Sequence, residues 1–159
     1  MKLKLKLPLA FAVAMGLLFL AGVFGIWRLS ASITAFELDV LRSVSAHKKA
    51  ADVNNDFAIA IQEWKNVLLR GKDPKDLDKH WNAHLKEMKQ AQADLQELTV
   101  MVGDGPAQAN VQKLSTAMAS AANGYQQAFE AFKAADFDFQ AGDKAARGKD
   151  RDAIATLGE

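Results

Sequence analysis

Two histidines one helical turn apart, His80 and His84, are the residues best spaced for chemistry in this chain. An i, i+4 histidine pair on one helix face chelates zinc or copper, and Asp76 and Glu87 stand nearby in sequence. The competing assignment leaves His80 solvated and sets His84 in a semi-polar core layer beside Tyr125. His47 lies several layers away and cannot complete a metal site within one subunit. The chain contains no cysteine. Disulfides, thiolate zinc sites, CxxCH haem attachment and cysteine nucleophiles are therefore excluded. The stretch VGDGP (Val102 to Pro106) lacks the lysine and the helix context of a phosphate loop. No Ser-His-Asp or paired-carboxylate constellation has defensible geometry. The residues thus predict neither an enzyme nor a cofactor. A formal net charge of +1 argues against a nucleic-acid partner.

These residues sit on long helices. From Leu29 the apolar spacing alternates four and three through Ile33, Phe36, Val40, Ser43, His47, Ala50, Asn54, Phe57, Ile61, Trp64 and Leu68, a heptad seam without proline or glycine. Ser43, His47 and Asn54 are its polar members; they either fix register or line a pocket. Gly71 is expected to take the left-handed position that ends the helix, and Asp73-Pro74 to restart the chain as N-cap and first helical residue. A second helix follows on Leu77, Trp81, His84, Met88, Ala91, Leu95, Leu98 and Val102. A third carries Ala107, Val111, Leu114, Met118, Ala121, Tyr125, Ala128 and Phe132. Asp138 caps a fourth, weaker helix with Gly142, Ala146, Ala153 and Leu157 on one face.

Short turns between long amphipathic helices predict an all-α, antiparallel up-down four-helix bundle. Folding the helices on one another gives layers such as Trp64, Trp81, Ala128 and Ala146, or Leu68, Leu77, Phe132 and Gly142. Large residues facing small ones fill a core to native density. Trp64 and Trp81 are expected in that core. The fourth helix runs out at Leu157, about level with Asn54, so the apolar residues Ile33, Phe36 and Val40 lack a partner. Covering them takes roughly 20 more helical residues. The fourth helix therefore reads as truncated.

Residues Leu7 to Trp27 carry no charge, and Lys2, Lys4 and Lys6 precede them. A run of that length matches the roughly 20 residues a helix needs to cross a bilayer. The lysines keep the start cytoplasmic and send the remainder outward. The alternative is a cleaved signal peptide with Ser30-Ala31-Ser32 as its site, but its apolar core would be shorter. The expected organisation is a cytoplasmic start and signal-anchor helix over 1–29 and a periplasmic bundle over 30–159. The protein is placed in the inner membrane with a single span.

The anchor, the long helix ending in QEWKNVLLRGKDP (Gln62 to Pro74), the segment KDLDKHWNAHLKEM (Lys75 to Met88) and AGDKAARGKDRD (Ala141 to Asp152) together resemble the periplasmic sensor region of bacterial methyl-accepting chemotaxis proteins. Two departures stand out: His80 and His84 replace bulkier aromatic residues, and a Pro/Thr pair after Arg151 is missing. The resemblance implies a sensor of periplasmic small molecules for chemotaxis signal transduction, homodimeric through its first helix. It also implies a ligand site in the membrane-distal half, or a periplasmic binding protein as partner. Lys65, Asn66 and Arg70 on the first helix, with Arg147 and Arg151 on the fourth, are the residues that would hold a ligand there. Several cations at one height favour an anion such as a small carboxylate, gripped bidentately by arginine; they equally suit solvated pairs with Glu63, Asp150 or Asp152. Similar sensors precede diguanylate cyclases and histidine kinases. A stand-alone membrane-anchored periplasmic bundle that binds metal or unfolded protein is a further alternative.

Overall fold

The computed structural model describes the backbone of residues 3–158 and the side chains of residues 8–158. Among these residues the chain is entirely helical between turns: α1 (Leu3–Arg70), α2 (Pro74–Val102), α3 (Gln108–Ala134), α4 (Phe139–Ala146) and α5 (Arg151–Leu157). It divides into two units, Met1–Val44 and Ser45–Glu159, and α1 contributes to both. Of the lysines expected to orient the anchor, Lys2, Lys4 and Lys6 lie outside the described side chains.

In the first unit, α1 presents large apolar side chains such as Leu17, Phe19, Ile26 and Trp27 on its exterior, each more than half exposed. By length and composition it can cross a membrane. In a bilayer such side chains meet lipid, and a helix satisfies every backbone hydrogen bond internally.

In the second unit, α1 and α2 run antiparallel. Lys49 pairs with Asp94 at 3.1 Å and with Glu97 at 2.8 Å, while farther along α1 Glu63 meets His80. Antiparallel pairing recurs between α2 and α3, where Trp81 stacks on Phe129 and His84 meets Tyr125 edge-on. The turns follow the sequence chemistry. Asp73 caps α2 by accepting from the Lys75 and Asp76 amides at 2.9 and 3.2 Å, and Asp138 caps α4 through the Ala141 amide at 2.8 Å.

Three expectations are corrected. First, Gly71 does not adopt positive φ. Glycine is needed there for space: a Cβ would stand 2.5 Å from the Val67 carbonyl and 2.8 Å from the Phe132 ring.

Second, the buried residues of α1 are Val53, Phe57, Ala60, Trp64, Val67 and Leu68. Asn54 is exposed, as are His47 and Ser43, so none of the three is buried within the single chain. Both rows share Phe57, Trp64 and Leu68. The observed one spares Asn54 the cost of burying an unpaired amide. It also turns small Ala60 inward, where His84 needs room.

Third, the fourth helix is two helices. Between α4 and α5 lies a turn with Gly148 at φ 76°, a backbone conformation costly for any residue with a Cβ. Gly142, Ala146 and Ala153 are nonetheless buried, as the spacing predicts.

Candidate functional site

The cavity with the most chemistry lies within the second unit, where α1 and α3 meet α4 and the α4–α5 turn. It holds about 200 Å³. Ile61, Trp64 and Leu68 give it an apolar wall, and four charged residues line it: Lys65, Asp143, Arg147 and Asp150. Trp64 is held by an aromatic cluster, with Trp81, Tyr125 and Phe132 rings at centroid distances of 6.2, 5.5 and 6.5 Å.

Tyr125 is almost fully buried, 2% exposed, and its hydroxyl donates to Asp150 Oδ2 at 3.0 Å. Burial, reinforced by the Asp150 charge, raises the phenol well above its ordinary value, so it remains a donor. Arg147 Nη2 donates to Asp143 Oδ2 at 3.1 Å, an i, i+4 pair. Both side chains are substantially solvated, so the pair adds little stability. Lys65 has no ion-pair partner among the described residues.

The cavity therefore brings Lys65 and Arg147 together, two of the five residues singled out in the sequence. The other three stay outside its lining. Asn66 donates to Glu63 Oε1 at 3.3 Å, and Arg70 and Arg151 are exposed on the surface. Tyr125 and Asp150 were not read as site residues. The signal was present: the sole tyrosine falls on a core position, where its hydroxyl requires a partner. Gly148-Lys149-Asp150 interrupts a helical pattern and places a carboxylate on a turn.

The chain is similar to the methyl-accepting chemotaxis protein CtpH of Pseudomonas aeruginosa. The two are 31% identical over 114 residues, which cover 72% of this chain and 20% of CtpH. The chain thus spans about one fifth of that relative's length. This likeness relates it to methyl-accepting chemotaxis proteins and supports a chemoreceptor-related role. No family model matches the chain. No solved structure matches it either.

Of the histidine pair, His84 takes the core layer beside Tyr125 that the sequence offered, and His80 is the correction. His80 is buried, not solvated: its Nδ1 donates to Glu63 Oε2 at 2.6 Å. Its Nε2 is enclosed with no hydrogen-bond partner. His84 Nδ1–H donates to the Ala60 carbonyl at 2.8 Å. Because a carbonyl only accepts, that bond fixes the proton of neutral His84 on Nδ1. Burial lowers the His84 pKa, against the opposing pull of the Ala60 carbonyl and Glu63. Among the described residues no three metal-ligating side chains converge. The pair joins α2 to α1, and His84 sits in the aromatic layer with Tyr125, 5.0 Å between ring centroids.

Proposed function

We propose that this chain is a membrane-anchored sensor of the chemoreceptor kind. In this reading α1 crosses the inner membrane near its start and residues 45–159 form a periplasmic four-helix bundle, with α4 and α5 sharing the place of one helix. The similarity to CtpH, joined to an apolar helix able to span a bilayer, carries the reading. The protein acts as a homodimer through α1, and binding of a small molecule shifts one helix against another, a displacement read across the membrane. Lys65 and Arg147 hold the carboxylate of the ligand, Arg147 through the guanidinium donors that Asp143 leaves unused.

The test is a hybrid receptor. Residues 1–159 replace the corresponding segment of a methyl-accepting chemoreceptor, and kinase activity is followed as compounds are added. A ligand-dependent change is expected. A hybrid that inserts in the membrane yet ignores every compound that binds the purified chain would overturn the reading.

A further inference from the structure

Along the antiparallel α1–α2 interface, polar pairs recur at the heptad spacing. Lys49 meets Asp94 at 3.1 Å, and Glu63 meets His80 at 2.6 Å. Each of these rungs sets a carboxylate against a group that carries or can take a positive charge. The same register puts Asp56 of α1 opposite Glu87 of α2, midway between the two, as a rung of two acids. Asp56 is half-buried there and shares a side-chain hydrogen bond with Asp94, which is buried. Ionised carboxylates only accept hydrogen bonds, so this contact requires a proton. Asp94 is the ionised member, because Lys49 and Gln90 both donate to its Oδ1, at 3.1 and 3.3 Å. The proton therefore sits on Asp56. We propose that Asp56 is a proton-operated clasp between α1 and α2: protonated, it donates to Asp94 and closes the middle of the interface; ionised, it repels Asp94 and Glu87 and loosens it.

The charged groups facing the clasp are Lys49 on α1 and Glu87, Asp94 and Glu97 on α2, with the Asn55 amide beside Asp56. Both nearby cations are engaged already: Lys49 reaches Asp94 and Glu97, and Lys86 pairs with Glu87 at 3.1 Å. Burial, then the charges of Asp94 and Glu87, push the Asp56 carboxyl above its ordinary value. Burial pulls Asp94 the same way, but the bonds from Lys49 and Gln90 outweigh it and hold Asp94 below the usual range. Because the Asp56 value is raised on folding, the clasp is complete below the ordinary value of 3.8 and is lost as pH rises through the raised one. Acid thus tightens this rung, whereas protonation of His84, one turn away on α2, weakens the fold. The clasp acts between helices whether or not the chain is a sensor.

Urea unfolding of the full chain in lipid nanodiscs, parent against Asp56→Asn from pH 7.5 to 4.5, tests the proposal. The contributions of His84 and other distant groups cancel in the difference. Asparagine keeps the shape and donates to Asp94 at every pH. Its midpoint should exceed that of the parent at pH 7.5, and the excess should shrink as pH falls. Glu87→Gln removes one repelling charge and should move that pH dependence toward acid, which a merely structural role would not do. In the parent, carbon NMR of the Asp56 carboxyl should show titration above 3.8. The chain has no cysteine, so spin labels can be placed on exposed positions through Ala51→Cys and Ala93→Cys alone. The distance between them should lengthen or broaden from pH 4.5 to 7.5 in the parent and stay fixed with Asp56→Asn added. An excess that is absent or does not vary with pH, an Asp56 carboxyl that titrates at or below 3.8, or an unchanged label distance in the parent each overturns the clasp.

Discussion

Gly142→Ala adds one methyl group at the point where α4 meets α1 and α3. The new Cβ would clash with Leu68 Cδ2 and stand 2.8 Å from Phe132 Cδ2. Neither side chain has slack: Leu68 is 7% exposed and Phe132 is fully buried. Overpacking of this kind costs about 1 to 3 kcal/mol. Alanine recovers about 1 kcal/mol through its better helix propensity. The net loss is therefore about 0 to 2 kcal/mol, the higher figure applying if α4 cannot shift outward.

A double-mutant cycle separates the terms. Leu68→Ala alone costs about 2 to 5 kcal/mol by leaving a cavity. In the double variant the new methyl enters that space, so the combined loss falls short of the sum by about 1 kcal/mol or more. Urea unfolding followed by the fluorescence of Trp64 and Trp81, in a Trp27→Phe background, measures all three variants. If Gly142→Ala is as stable as the parent and the cycle shows no coupling, α4 does not pack on Leu68 and Phe132.

Protonation of His84 supplies a second prediction. Its folded-state pKa is lowered by burial, so the unfolded chain takes up the proton first. Stability should be complete above about pH 6.5, the ordinary histidine value, and decline as pH falls below it. Urea midpoints from pH 8 to 5 should show this slope, reduced in His84→Leu. Tyr125→Phe should cost about 1 to 3 kcal/mol through loss of the bond to the Asp150 carboxylate. Hydrogen exchange should then speed up across residues 147–152. Alkaline phosphatase fused after Gly158 should be active in the periplasm, and replacing Lys2, Lys4 and Lys6 with glutamate should reduce that activity. N-terminal sequencing that finds the mature chain starting near Ile33 would refute the anchor.

Helix existence was legible because periodicity reports it directly. The pairings of Trp64 with Trp81, His84 with Tyr125, and Gly142 with Leu68 and Phe132 all follow from counting turns away from Asp73 and Asp138. Which neighbour of a heptad position turns inward was less legible. Asn54 and Val53 differ by only 100° around the helix, and the choice was made by partners on α2, above all the room His84 needs beside Ala60. The break at Gly148 was missed because the apolar positions on either side keep nearly the same face, so spacing alone does not register a four-residue interruption. The cavity inherited both uncertainties. Lys65 and Arg147 could be matched by height, but Asp150 belongs to a turn whose path only the tertiary structure sets.

The turn between α4 and α5 also distributes stiffness through the second unit. On the α1–α2 side, the His84–Ala60 and His80–Glu63 bonds pin two facing helices at points one turn apart, which resists axial sliding. On the other side, Arg147 to Asp150 interrupts the helical ladder, and a side-chain bond from Tyr125 ties that turn to α3. Such a joint yields before a continuous helix does. Force applied along α5 would be spent first in bending this hinge, and α4 would move as a short rod only when the hinge is held. A molecule seated between Lys65 and Arg147 would hold it, converting a compliant coupling into a rigid one without adding a single contact at α5.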